Sequence, residues 1–176
     1  LLTMVENLLS VTRIQDERGV ATVIKTEESL EEVISSAVGR FRKRFPEVQV
    51  QVCIPESFIM VPMDATLIEQ VINNLLENAY FHSGSHGPID LQASVDGPYV
   101  SIAIRDQGNG IRPELLGTLF DGGGVSDNQT GDSHKGMGIG LTLCKTIINA
   151  HGGHIEASNY DKGALFTFTL PDWREY

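Results

Sequence analysis

The chain has 176 residues, of which 41% are hydrophobic and 20% are charged, and these values are ordinary for a globular domain. This length is enough for one domain with its own core. No apolar run approaches the ~20 residues that span a bilayer, and the first residues lack the pattern of a signal peptide. The formal net charge of −10 argues against a nucleic-acid-binding surface, because phosphate backbones are bound by clustered Lys and Arg.

The first predicted element is an amphipathic helix at the start of the chain. Leu1, Val5 and Leu8 trace one apolar face, and Gly19 ends the pattern. The pattern is already under way at the first residue, which is not Met. We therefore expect residues 1–18 to be the end of a longer helical hairpin, the alternative being a helix packed on the domain, and residues 19–176 to form a second domain.

The rest of the chain alternates between strand and helix patterns. Strand patterns occur at residues 21–25, 48–54, 58–61, 89–95, 99–105, 154–159 and 164–170. Helical patterns occur at residues 29–45, 64–81, 113–119 and 137–150. The connection 107–135 is rich in Gly, Asp, Ser and Asn, and such length is typical of a functional lid or a disordered segment. This order indicates an α+β fold, a two-layer sandwich in which three main helices cover one face of a mixed, mostly antiparallel sheet of about five strands.

Two asparagines on the long helix are the first candidate site. Asn74 and Asn78 are four residues apart, so their side chains lie on one helix face. Asn is a middling helix former, and a carboxamide oxygen suits a magnesium ion that already carries phosphate oxygens and water. Taken alone, the pair is equally consistent with two solvent-facing side chains.

Asp106 begins the second candidate, a turn directly after a strand. Its carboxylate can accept a hydrogen bond from an exocyclic amine such as adenine N6. Gly108 and Gly110 let the backbone turn with positive φ and approach a flat ring closely. A strand followed by Asp and Gly is common, so this turn is a weak signal by itself.

The third candidate is a glycine run that opens a helix. Gly136, Gly138 and Gly140, with Ile139 and Leu141, leave N–H groups exposed to an anion at a helix N-terminus. An acidic chain that binds a triphosphate must rely on such N–H groups and on a metal ion. The run lacks the Gly-Lys-Ser/Thr of a P-loop, and no strand precedes it as a dinucleotide fingerprint requires.

The order of these three motifs resembles the ATP-binding domain of sensor histidine kinases, in the superfamily of gyrase B, MutL and the heat-shock chaperone ATPase. The resemblance covers roughly residues 21–171 and includes the closing run 163–171. Residues 5–14, 74–79 and 150–153 are further similar to a subgroup of these kinases that senses turgor and potassium.

The resemblance implies a role for each candidate residue. Asn74 and Asn78 would form the N box and hold Mg²⁺, and Asp106 would contact adenine within the first glycine box. Three further groups carry an implied role: the glycines of that first box (Gly108, Gly110), the phosphate-binding second box (Gly136, Gly138, Ile139, Gly140, Leu141), and Thr167, which would close the adenine pocket from the sheet.

Asn74 distinguishes kinase from hydrolase within this superfamily. In the ATP-hydrolysing relatives, and in the anti-sigma serine kinases, a Glu general base typically stands at this position. Asn cannot accept a proton, which favours transfer of phosphate to imidazole over activation of water. Glu77 is out of phase with the pair, and we expect it to be solvated.

The sequence departs from the kinase pattern in three places. None of its five His residues has the acceptor's following Asp or Glu, so the resemblance implies a phosphoacceptor on a hairpin outside this chain. Phe81-His82 replaces the usual Lys-Tyr, and Lys135 is the candidate for the missing phosphate cation, with a solvated lid Lys equally plausible. The lid run after Phe120 has Gly123 where a second Phe is usual, so we expect either weak docking or a lid that orders only with nucleotide.

The resemblance implies ATP and Mg²⁺ as cofactors, the parent's hairpin and a response regulator as partners, and a cytoplasmic location below an inner-membrane sensor. Two alternatives remain: a degenerate nucleotide-binding module, suggested by the missing Lys and second Phe, and an ATPase of the same superfamily. Cys53 and Cys144 lack any paired motif, and we expect both to be buried in a reducing compartment. The spacing of the histidines does not suit a metal site.

Overall fold

The computed structural model describes residues 23–82, 87–121 and 137–172. Within these residues lie seven strands: β1 Thr26–Ser29, β2 Val50–Cys53, β3 Met60–Met63, β4 Ile89–Asp96, β5 Tyr99–Arg105, β6 His154–Tyr160 and β7 Gly163–Pro171. The same residues contain four helices: α1 Leu30–Arg44, α2 Ala65–His82, α3 Pro113–Leu116 and α4 Met137–Ala150. The predicted hairpin segment 1–18 lies outside the described residues.

The main sheet has five strands in the order β2-β4-β5-β7-β6. Only the β2–β4 pair is parallel, and the other three pairs are antiparallel. The predicted α+β fold with a mixed, mostly antiparallel sheet is therefore confirmed. The structure adds a small second sheet, in which β1 pairs with β3.

The position of the first strand was predicted wrongly. Val23–Lys25 have no regular structure, and the strand occupies the polar residues Thr26–Ser29. This segment has no alternating apolar pattern of its own, and it becomes a strand by pairing with Met60–Met63. Its partner likewise lies about two residues beyond the predicted 58–61.

Helix caps explain where the two long helices begin. The N–H of Glu32 donates to Ser29 Oγ at 3.3 Å at the start of α1. The N–H of Leu67 donates to Asp64 Oδ1 at 3.2 Å at the start of α2, which confirms the predicted cap. Both contacts satisfy backbone donors that the first helical turn leaves without an intrahelical acceptor.

The sheet has one covered face and one open face. Ile104 pairs with Phe166 across β5 and β7, and Ile102 pairs with Phe168, and all four side chains are buried. The alternate residues of both strands are only partly buried and point to the opposite face. The core therefore lies between the sheet and α1, α2 and α4, which contribute most of the other buried apolar side chains.

His151 connects the end of α4 to the beginning of α2. Its side chain is completely buried, Nδ1 lies 2.7 Å from Ile147 O, and the N–H of Asp64 donates to Nε2 at 3.0 Å. These two contacts require a neutral ring with its proton on Nδ1. The Asp64–His151 hydrogen bond therefore joins α2 to α4, and Lys25 Nζ adds a bond to the backbone O of His151 at 3.0 Å.

We expect stability to fall with acidification because of this residue. Burial lowers the pKa of His151 below its usual 6.5, and the nearby Lys25 acts in the same direction. Below pH 6.5 His151 therefore takes up a proton in the unfolded chain but stays neutral in the folded chain. The free energy of unfolding falls as the pH is lowered. Urea unfolding at pH 7 and pH 5 should show this loss, and His151→Gln should flatten the slope. An unchanged slope in the variant would refute the assignment.

The two cysteines lie in different environments. Cys144 is buried as predicted, whereas Cys53 is exposed because it ends β2 at the edge of the sheet. Residues 23–82, 87–121 and 137–172 contain no cluster of three His, Cys, Asp or Glu side chains suited to a metal. Within the same ranges, no helix combines the length and hydropathy needed to cross a bilayer.

Candidate functional site

Asp106 lies at the end of β5 with its carboxylate fixed by backbone donors. The residue is only 6% exposed. Oδ1 accepts from the N–H of Gly108 at 2.9 Å and from the N–H of Ala164 at 3.1 Å. Among the described residues no donor contacts Oδ2. The carboxylate is therefore held in one orientation with one oxygen available to a ligand.

The glycines around Asp106 have different functions. Gly110 has φ of 77°, the positive value predicted for the turn, whereas Gly108 is not among the positive-φ glycines and contributes its N–H to Asp106 instead. Gly163 on β7 was not recognised from the sequence. A Cβ there would lie 2.0 Å from the backbone O of Asp106, so only glycine allows the two strands to approach this closely.

Asn74 lies where α2 crosses α4. A Cβ at Gly140 would lie 3.8 Å from its side-chain oxygen, and its side chain lies next to the Cys144 thiol. Burial raises the pKa of Cys144 to about 12, with the Asn74 contact opposing this rise. Cys144 is therefore a neutral thiol and packs against Asn74 as an inert neighbour.

Asn78 lies one helical turn beyond Asn74, towards the start of α4. The two helices run antiparallel, because Val71 contacts Cys144 while Asn74 contacts Gly140. Asn78 is 8% exposed, and the Nδ2 atoms of both asparagines are buried without a hydrogen-bond partner among the residues that the structure describes. Buried donors of this kind are rare in native proteins and indicate a missing acceptor.

The glycine run is described only in part. Gly138, Ile139 and Gly140 belong to the first turn of α4, and the Leu141 side chain is buried in the core. Lys135 and Gly136 lie outside the described residues. The helix thus begins where the prediction placed it, with its N-terminus on the side of Asn78.

The role predicted for Thr167 does not fit the geometry. Thr167 pairs with Ala103, and both side chains point to the open face of the sheet. Asp106 instead points to the covered face, as Ile104 does. Ala164 is the β7 residue beside Asp106, since its N–H donates to the carboxylate. Position 164, three residues before Thr167, is therefore the position of β7 that lies beside Asp106.

The structure thus brings Asn74 of the first motif beside Gly140 of the third, and the family model for histidine kinase-, DNA gyrase B- and HSP90-like ATPases matches residues 63–174. The chain belongs to this family. It is 41% identical over 172 residues to the sensor protein KdpD of Clostridium acetobutylicum, and the match covers 97% of this chain. The predicted similarity to the turgor- and potassium-sensing subgroup, which is the KdpD group, is confirmed. The chain spans about a fifth of that relative's length.

Solved structures of histidine kinases share the fold of this ATPase-family domain. The catalytic domain of histidine kinase ThkA in a nucleotide-free form superposes with a TM-score of 0.72 at 27% identity, covering 85% of this chain and 97% of that one. ThkA in complex with the response regulator protein TrrA gives a TM-score of 0.72 at 25% identity, covering 98% and 48%.

Glu77 and Phe81, near the end of α2, both contact residues of the segment that ends α1. Glu77 was expected to be solvated, but it pairs with Arg44 of α1 and its side chain is only 16% exposed. Phe81 packs with Tyr80 and Phe45 at ring-centroid distances of 4.9 and 5.6 Å. An aromatic cluster therefore occupies the position where the kinase pattern usually has a phosphate-binding Lys.

The start of the lid is anchored on the sheet. Phe120 contacts Phe166 edge-to-face with a centroid distance of 6.3 Å. Lys145 of α4 pairs with Asp121 at 3.2 Å. The single Phe retained in the lid motif is thus a packing residue, and the run from Gly122 to Gly124 lies outside the described residues.

Proposed function

We propose that this chain is the ATP-binding catalytic domain of a two-component sensor histidine kinase. The observation that carries the proposal is the pair of asparagine Nδ2 atoms beside α4, which are buried without an acceptor in the part of the chain that the structure describes. The family membership and the similarity to KdpD support it. The domain would transfer the γ-phosphate of ATP to a His on the parent's dimerisation hairpin, for relay to an Asp of a response regulator.

The two asparagines fit a magnesium–triphosphate ligand chemically. A carboxamide rotates so that Oδ1 can ligate a hard cation while Nδ2 donates to a phosphate oxygen or a bound water. The orphaned Nδ2 atoms of Asn74 and Asn78 need such acceptors. When bound, Mg²⁺ would neutralise triphosphate charge, which matters in a chain of net charge −10.

The adenine and phosphate ends of the nucleotide would lie on different elements. Asp106 Oδ2 is suited to accept from adenine N6, and the first turn of α4, with Gly138 and Gly140, offers N–H groups and a helix dipole to the phosphates. Gly136 and Lys135 are proposed to extend this phosphate site, on the sequence pattern alone.

Asn74 favours phosphate transfer to imidazole over hydrolysis. It contacts Gly140 and Cys144, so an amide stands where the hydrolysing relatives carry a general base. Glu77, the one carboxylate between Asn74 and Asn78, is engaged by Arg44 on another side of α2. The ATPase alternative therefore lacks a base at this position.

The partners follow from the same proposal. The hairpin would supply the phosphoacceptor, and full-length chains would form a dimer through it. The ThkA complex with TrrA supports docking of a response regulator by a domain of this fold. The domain would act on the cytoplasmic side of a membrane-embedded sensor without touching the membrane itself.

Phosphorylation in trans tests the proposal. The chain is incubated with γ-labelled ATP and Mg²⁺, alone and with the separately produced hairpin of the parent. We expect label on the hairpin and none on this chain, because none of its His residues has the acceptor pattern. Release of inorganic phosphate that disappears in Asn74→Ala, with an unlabelled hairpin, would instead establish the ATPase alternative.

A further inference from the structure

Asn159, near the end of β6, makes a two-point contact with the backbone that leaves the first glycine turn. Its Nδ2 donates to Ile111 O at 2.8 Å, and its Oδ1 accepts from the N–H of Ile111 at 2.7 Å. One side chain therefore satisfies both polar backbone groups of Ile111, as a paired strand would. Ile111 directly follows Gly110 and precedes the lid.

The same amide constrains the glycine turn itself. A Cβ at Gly110 would lie 2.7 Å from Asn159 Oδ1, closer than real Cβ contacts allow. Gly110 also has φ of 77°. The turn and the amide thus fit together only because position 110 carries no side chain.

The β6–β7 turn contacts the Asp106 segment at three further points. Ala164 bonds to the Asp106 carboxylate, and Gly163 packs against its backbone. The Arg105 guanidinium lies 4.9 Å from the centre of the Tyr160 ring. Asn159 is therefore one of several contacts that join the end of β6 and the start of β7 to the segment around Asp106.

We propose that Asn159 is a positioning residue for adenine recognition: by fixing Ile111 it holds the Asp106–Gly110 turn in the conformation that presents Asp106 Oδ2 to the base. This inference rests on the proposed nucleotide-binding function. Asn is required because a carboxylate would repel the Ile111 carbonyl, and Ala would leave both backbone groups to water.

The test compares Asn159→Ala and Asn159→Asp with Ser158→Ala, an exposed control in the same strand that points to the open face. Affinities for ATP and for inosine triphosphate, which lacks the N6 amine, are measured in Mg²⁺ by calorimetry. Loss of two ordinary hydrogen bonds should weaken ATP binding about tenfold. Inosine triphosphate binding should be unchanged, so discrimination between the two bases falls. Amide exchange of Ile111 should accelerate in parallel.

A merely structural role would lower the melting temperature and leave the ratio of the two affinities as in the unsubstituted chain, and that result would overturn the inference. An equal loss for both nucleotides, or an unchanged Ile111 exchange rate, would overturn it too. If the unsubstituted chain bound neither nucleotide, the proposed function would fail. If it bound both equally, the adenine role of Asp106 would fail, and the inference would fail with it.

Discussion

Asp106→Asn should weaken ATP binding by about 100-fold, because a charged hydrogen bond to adenine is replaced by an amide donor facing the N6 amine. The fold should persist, since the new Oδ1 can still accept from the N–H groups of Gly108 and Ala164, which lie at 2.9 and 3.1 Å. Calorimetric titration gives the affinity, and thermal unfolding checks the fold.

Asp90→Asn is the matched control for the loss of one negative charge. Asp90 lies on the adjacent strand β4, points to the open face and pairs with Arg105 at 2.8 Å. Its substitution should leave ATP affinity within about twofold, because exposed ion pairs contribute little. Equal effects of the two substitutions would show that net charge, rather than adenine contact, governs binding.

Gly163→Ala should have the largest effect on the domain as a whole. The added Cβ would lie 2.0 Å from Asp106 O and 2.9 Å from its Oδ1, so β5 and β7 must separate beside the site. Backbone displacement of this kind costs about 3 kcal/mol of unfolding free energy, and it also moves the carboxylate. We expect a lower midpoint in urea together with loss of ATP binding by the molecules that remain folded.

Gly153→Ala separates these two effects. A Cβ at Gly153 would lie 1.9 Å from Thr169 O, an equally severe backbone clash at the opposite end of the β6–β7 hairpin. This variant should be destabilised to a similar extent while its folded molecules keep their ATP affinity. Loss of binding in both variants would contradict a local role of Gly163.

Local patterns were sufficient to predict the helices. Helix α4 begins and ends at the predicted Met137 and Ala150, and Asp64 caps α2 as its sequence position indicates. These features depend on residues within one or two turns of each other, which the sequence displays directly. The hairpin strands of the main sheet were likewise visible as alternating runs between turn residues.

Features that depend on a distant strand were not visible. The polar strand Thr26–Ser29 exists because it pairs with Met60–Met63, and the need for Gly163 comes from the approach of Asp106, 57 positions earlier. The error at Thr167 was avoidable. Phe166 and Phe168 mark the covered face, so the alternation of β7 already places Thr167 on the other side.

The sequence identifies the residues of the candidate site but does not predict their burial or their contacts. Asn74, Asn78 and Asp106 are recognisable by type and spacing. The burial of the two asparagine Nδ2 atoms, without acceptors among the described residues, emerges only when α4 packs against α2. Asn159 carried no sequence signal, because its contact with Ile111 joins residues 48 positions apart.

Titration with a non-hydrolysable ATP analogue, with Mg²⁺ and with chelator, tests the central claim most directly. The paired asparagines predict saturable one-to-one binding that weakens when Mg²⁺ is removed, and a weaker magnesium dependence in Asn78→Ala. Absence of binding in both conditions by the folded chain would contradict the assignment of this domain as a magnesium–ATP site.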